Sequence, residues 1–281
     1  MSEANSSAPG PALAEIAAET GAAGADPFRR RVVIARTALC CGILLAWQIA
    51  VSVGLVDPFW ISSPYLVAVE MWRLLASGEL LADTWMTVSE ALIAFVVSSV
   101  LGVLSGLLLA RSPFWDEVMA PIIVALNSLP RIALAPLIIL WFGVGITAKV
   151  VTAFTLVYFI LLVNTLGGAK NVDNDIMTIA QLMGASKRDL LWKVTLPSAL
   201  PWIFAALSIA LTYSLLGVIV AEILASNQGL GYLIASSAGN FDTAGVFAAL
   251  VVLAAIAWAF STAMRKIEGR LLRWKPSVSS A

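Results

Sequence analysis

Five stretches of this chain, 37–56, 91–110, 150–169, 194–221 and 243–264, run without a single charged side chain. A helix needs about 20 apolar residues to cross the ~30 Å hydrocarbon layer, so each stretch is long enough to span a membrane. A sixth, 118–148, is interrupted by Asn127, Arg131 and prolines 121, 130 and 136. It is long enough to span, but its backbone must bend and its arginine must face protein or water. Composition agrees, with 60% hydrophobic and only 12% charged residues, where soluble domains carry roughly 25% charged residues. A water-soluble fold is excluded.

The expected architecture is an all-α polytopic membrane protein. Its six transmembrane helices fall at about 34–56, 85–110, 118–144, 148–168, 198–223 and 244–264, within a transmembrane domain of residues 31–275. Residues 1–30 and 276–281 are expected to be tails, the first disordered, because residues 1–28 are rich in Ala, Gly, Ser and Pro and hold no basic residue. Residues 62–78 mix apolar and polar side chains in the manner of an amphipathic helix on the outer membrane surface.

Basic residues set the orientation. Arg29, Arg30, Arg31 and Arg36 precede the first span, Arg111 follows the second, and Lys170, Lys187, Arg188 and Lys193 follow the fourth. Arg265, Lys266, Arg270, Arg273 and Lys275 follow the sixth, while the alternate loops carry Asp57, Glu70, Glu79, Asp83 and Asp242, with Arg73 as their only clear cation and Lys149 at a boundary. Both termini are therefore expected in the cytoplasm.

Several chemistries are excluded. Histidine is absent and the two cysteines, Cys40 and Cys41, are adjacent in an apolar run, which removes His-dependent triads, His/Cys zinc sites and a disulfide framework. There is no G-x-x-x-x-G-K-[ST] loop, so the chain does not by itself bind ATP in the P-loop manner. Basic and acidic residues balance at 17 each, without the basic face that nucleic acid requires. Membrane carboxylates are not expected to cluster, which argues against intramembrane catalysis.

Residues 170–201 are the most informative segment. Asp173 can cap a helix through Ile176, Ile179, Ala180, Leu182 and Met183, Gly184 stops it, and Ser186 with Asp189 restarts one through a short capping box. The second helix is expected to run to Leu196-Pro197. Periodicity alone reads this helix–turn–helix as an amphipathic loop over the end of the bundle.

Inside the spans, Arg131 beside broken helix suits a path for anions, or else a structural pairing with a carboxylate or snorkelling to the cytoplasmic edge. Glu222 is either its partner or a residue near the substrate's entry on the outer side. Asn127 and Ser128 can contact substrate, although such residues more often hydrogen-bond between helices. Ser98, Gly102 and Gly106, at four-residue spacing, read as a close-packing face, and Trp47, Trp60, Trp85, Trp141 and Tyr158 as an interfacial belt.

The segment at 170–201 resembles the signature loop of ABC importer permeases, written Glu-Ala-Ala, three residues, Gly, nine residues, Ile, one residue, Leu-Pro. Ala180, Gly184, Val194, Leu196 and Pro197 match in position, while Thr178 and Ile179 stand where the pattern has Glu and Ala. Pro130-Arg131-Ile132-Ala133-Leu134-Ala135-Pro136-Leu137, Leu140-Trp141-Phe142-Gly143-Val144-Gly145, Val220-Ala221-Glu222 and Gly229-Leu230-Gly231-Tyr232 resemble the nitrate/sulfonate/taurine/bicarbonate branch of that family. The resemblance covers roughly residues 58–275. It implies that the loop is a cytoplasmic coupling helix–turn–helix docked in a separate ATPase, with Ala180, Gly184, Ala185, Ser186 and Lys187 at the docking turn. Leu196 and Pro197 would start the next span. It further implies a second permease subunit in a homodimer, two ATPase subunits that bind ATP and Mg, an external substrate-binding protein, and a bacterial inner-membrane location. The chain itself would hold no cofactor and no metal, and would catalyse nothing. A gradient-driven secondary transporter is the competing reading, against which stand the lack of an internal repeat and the single broken span.

Overall fold

The computed structural model describes residues 27–271. The expected tail at 276–281, and residues 1–26 of the expected tail at 1–30, lie outside the described residues. The chain divides into two units, 1–58 and 59–281. The first carries α1 (Pro27–Ser52). Its apolar segment ends earlier than the hydropathy pattern suggests because the chain turns at Gly54, whose φ of +78° terminates the helix.

The second unit begins with one helical turn and then α2 (Pro64–Ser77), the amphipathic segment. Ser63 caps it, its hydroxyl accepting from the Leu66 amide at 3.2 Å, and Val67 and Leu74 are buried. Gly78, at φ +82°, closes α2 and leads directly into α3 (Glu79–Ala110). The expected second span therefore starts about two turns earlier than residue 85. Asp83, assigned to a loop by its charge, lies on the helix.

The interrupted span is broken as expected. It consists of α4 (Pro113–Ser128), a 3-10 turn at Arg131–Leu134 and α5 (Ala135–Phe142), bent by 79°. Leu129, forced out of the helical region by the proline that follows it, is extended at φ −67°, ψ 138°. Next come α6 (Ile146–Lys170), α7 (Asn174–Leu182), α8 (Leu196–Ala225), α9 (Leu230–Gly239) and α10 (Thr243–Leu271). Among the described residues five helices are long and apolar enough to cross a membrane, or six if the bent pair is taken as one span. The short apolar helix α9 has no counterpart in the sequence-based expectations.

The core lies where α6 packs against α3 and α8. Val157 and Leu161 of α6 meet Ala206 and Ala210 of α8 there, all fully or almost fully buried. The small-residue face of α3 performs the packing expected of it. A Cβ on Gly102 would stand 2.8 Å from Leu161 Cβ, and one on Gly106 would stand 2.7 Å from Thr165 Cβ. Gly106→Leu should therefore push α3 off α6 and cost about 1–3 kcal/mol, the usual penalty for overpacking. A lowered unfolding midpoint in detergent, with Gly106→Ala falling between the native chain and Gly106→Leu, checks this. Tyr158 departs from the expected interfacial belt: it sits in mid-α6 and donates to Ser105 Oγ at 2.9 Å.

Candidate functional site: a broken span, a buried ion cluster and a capped turn

Arg131 occupies the break between α4 and α5. One guanidinium nitrogen, Nη1, donates to the Thr155 and Leu156 carbonyls of α6 at 3.2 and 3.3 Å. The other, Nη2, donates to the Asn127 carbonyl at 3.2 Å and to the Asn127 side-chain oxygen. The Asn127 carbonyl belongs to the last turn of α4, which lacks helical partners and attracts cations. The guanidinium also stands 4.6 Å from the Phe159 ring centroid, a cation–π arrangement. Only the buried Nε lacks a partner. Arg131 therefore fastens the break to α6 and leaves one donor free.

Beside it opens a cavity of about 520 Å³ lined by Asn127, Arg131, Leu156, Ile160, Ile209 and Tyr213 among others. Ser128 is not in its lining, and its hydroxyl turns back to the Val124 carbonyl at 2.8 Å. Of the residues singled out for a substrate path, Asn127 and Arg131 share this cavity, whereas Ser128 and Glu222 do not line it.

Glu222 makes no pair with Arg131. It lies near the end of α8, 1% exposed, inside a cluster built from four helices. Thr87 of α3 donates to it, with 3.0 Å to each carboxylate oxygen, and the Gly231 amide of α9 donates to Oε2 at 2.8 Å. Lys149 Nζ stands 3.6 Å from Glu222 Oε1 and 2.9 Å from Glu90 Oε1. The Leu230 amide donates to Thr87 Oγ1 and the Gly229 amide to Asp83 Oδ1, both at 2.8 Å. Side chains of α3 and α8 thus satisfy the amides that open α9, which have no partner within their own helix. Gly229 and Gly231 permit this closeness, since a Cβ on Gly231 would stand 2.6 Å from the Glu222 Cβ.

This cluster corrects the expectation that membrane carboxylates would not gather. Lys149, which looked like a boundary residue, is 3% exposed, and Glu90, which attracted no notice, is 1% exposed. The available signal was Asp83, Thr87 and Glu90 at helical spacing on one face of α3. Among the described residues there is no metal-ligating group of three or more His, Cys, Asp or Glu.

At residues 173–196 the structure has the expected caps. The Ala185 amide donates to the Ala180 carbonyl at 3.0 Å and the Gly184 amide to the Gln181 carbonyl at 2.9 Å, with Gly184 at φ +85°. This is the Schellman pair of bonds, which ends a helix on a left-handed glycine. Ser186 Oγ accepts from the Asp189 amide at 3.2 Å while Asp189 Oδ2 accepts from the Ser186 amide at 3.3 Å, a reciprocal capping box. Lys193 pairs with Asp189 at 2.6 Å.

The hydrogen bond from Lys193, and then that from Ser186, hold the Asp189 carboxyl down to about 2. A depressed carboxyl contributes its cap above its unfolded value and loses it only as pH falls through the folded one. The turn should therefore stay capped throughout the mildly acidic range. Unchanged circular dichroism and turn-amide protection there would bear this out.

One expectation changes. The second helix does not end at Leu196-Pro197 but passes through a π-helical stretch, Leu190–Thr195, straight into α8. The wider π turn accommodates Pro197, whose ring would clash with the carbonyl four residues earlier in a regular helix. The π-helical stretch after the turn and the fifth span are one continuous helical rod of 36 residues, Leu190–Ala225.

Residues 98–273 match the family of binding-protein-dependent transport system inner membrane components. The riboflavin transport system permease protein RibX of Chloroflexus aurantiacus is 35% identical over 235 residues, 84% of this chain and 88% of that one. The taurine transport system permease protein TauC of Escherichia coli is 28% identical over 257 residues, 90% of this chain and 93% of that one. Among solved structures, an inward-facing MetNI methionine ABC transporter chain superposes with a TM-score of 0.60 at 20% identity, over 70% of this chain and 96% of that one. The protein belongs to the binding-protein-dependent transport system inner membrane components, and is a membrane-embedded, multi-pass permease of the ABC importer type.

Proposed function

We propose that this chain is the membrane half of an ATP-driven importer that carries a small, anionic solute into the cytoplasm. The solute belongs to the class of nitrate, bicarbonate, taurine and other sulfonates, or aromatic acids. Two copies form a homodimer around one path, a binding protein delivers solute from outside, and two ATPase subunits, which bind ATP and Mg, dock from the cytoplasm. In this reading both termini and residues 170–193 lie in the cytoplasm of a bacterial inner membrane, which the basic residues of those loops support.

The observation that carries this reading is the capped turn. Leu182 and Met183, each 83% exposed, crown it beside Gly184. Large apolar side chains displayed on a rigid turn are characteristic of a protein-docking surface. In this assignment Ala180, Gly184, Ala185, Ser186 and Lys187 form the ATPase contact. Leu196 and Pro197 lie where the turn joins α8, so that closure of the ATPase pair moves the rod and opens the path outward. Arg131 and Asn127 give the cavity a cationic, hydrogen-bonding wall suited to an anion.

Affinity capture of the tagged chain from its own membranes tests the reading: a P-loop ATPase is expected to come down with it, and its absence would overturn the proposal. Arg131→Gln should abolish solute uptake while leaving ATPase capture intact. Loss of both together would confine Arg131 to a structural role.

A further inference from the structure

The buried cluster of α3, α6 and α8 holds two carboxyls against one ammonium. Glu90, Glu222 and Lys149 are at most 3% exposed, so with every group ionised a net negative charge would be enclosed among apolar helices, a costly arrangement. The two carboxyls are not equivalent. Glu222 is surrounded by donors: the Thr87 hydroxyl, the Gly231 amide and the Lys149 ammonium. Glu90 accepts from Lys149 through Oε1, but its buried Oε2 has no donor at all. Lys149 Nζ bridges the two, 2.9 Å from Glu90 Oε1 and 3.6 Å from Glu222 Oε1, and two carboxyls crowded onto one ammonium favour keeping a proton on one of them over a second negative charge.

We infer that the Glu90–Lys149–Glu222 cluster holds one proton, carried on Glu90, and that this proton keeps the first turn of α9 seated on α3 and α8. With the proton in place the cluster is neutral, Glu222 remains an ionised acceptor for the α9 amide, and the donorless Oε2 of Glu90 no longer carries an uncompensated buried charge. The other charges facing it are Asp83, which acts on Lys149 from one end of α3, and Glu79 beyond it. The opening turn of α9 contributes backbone amides. Removing the proton at alkaline pH sets two carboxylates in competition for Lys149 and repels Glu222 from its place. Protonating Glu222 at low pH would weaken its hold on Gly231. The seat of α9 is thus firmest near neutrality.

Infrared spectroscopy of the purified full-length chain in lipid tests this without any variant. A protonated-carboxyl C=O band is expected at neutral pH, fading as the pH is raised. Hydrogen-exchange protection of the Leu230 and Gly231 amides should fall in step, by about tenfold or more, as α9 opens locally. Glu90→Gln, which fixes the neutral form, should lack that band and keep its protection at alkaline pH. A native protein with no such band, or a band that survives Glu90→Gln, would overturn the assignment. So would a band that appears only when sodium and potassium are replaced by a bulky organic cation, since a metal ion would then be supplying the missing charge.

Discussion

Lys149→Met is expected to be among the most damaging single substitutions in this chain. Its ammonium sits 2.9 Å from one buried carboxyl and 3.6 Å from another. Methionine fills the same volume but leaves those groups without their counter-charge. Breaking a buried ion pair from one side typically costs about 3–5 kcal/mol, because an uncompensated charge is left inside. The loss should appear as a lower unfolding midpoint in detergent and as uptake close to background. Glu222→Gln/Lys149→Met should recover part of the stability, since removing the ionised carboxyl along with the ammonium leaves the cluster neutral again. A double variant no better than Lys149→Met alone would argue that the two groups do not act as a pair.

The second large effect is expected at the turn. Gly184→Val places a β-branched side chain at φ +85°, where an L residue pays roughly 1–2 kcal/mol. Nothing lies within 4 Å of the added Cβ, so the fold of the bundle has no reason to change. The damage should fall on the angle between α7 and the rod that continues into α8. Ala185→Trp alters the surface of the same turn without that backbone penalty. Both variants are expected to insert and to melt much as the native chain does, while losing captured ATPase by tenfold or more, a change of about 1.4 kcal/mol in binding per factor of ten. Full ATPase capture by both would place the docking surface elsewhere.

The spans were legible because hydrophobic length is a local property, and so was the break, announced by Pro130 and Pro136. The turn at 180–189 was legible for the same reason: Asp173, Gly184, Ser186 and Asp189 act on amides within a few residues of themselves. The start of α3 was missed because Glu79 and Asp83 read as loop charges, although acids in a first turn favour a helix N-terminus.

The ion cluster was not legible. Lys149 and Glu90 are 59 residues apart, and Thr87 and Glu222 are 135 apart. Only the packing of α3, α6 and α8 makes them neighbours. The role of Arg131 was divided between a substrate contact and a pairing with a carboxylate. Its donors meet carbonyls and an amide side chain, partners that a search for opposite charge passes over.

The most direct measurement is uptake into proteoliposomes holding this chain with its co-purified ATPase and binding protein, using radiolabelled taurine, an alkanesulfonate, nitrate and bicarbonate as probes. With ATP on the ATPase side and no ion gradient, at least one of these anions should accumulate, and the Gly184→Val variant should accumulate none. Accumulation that requires an imposed proton or sodium gradient, and proceeds equally without ATP, would contradict the account.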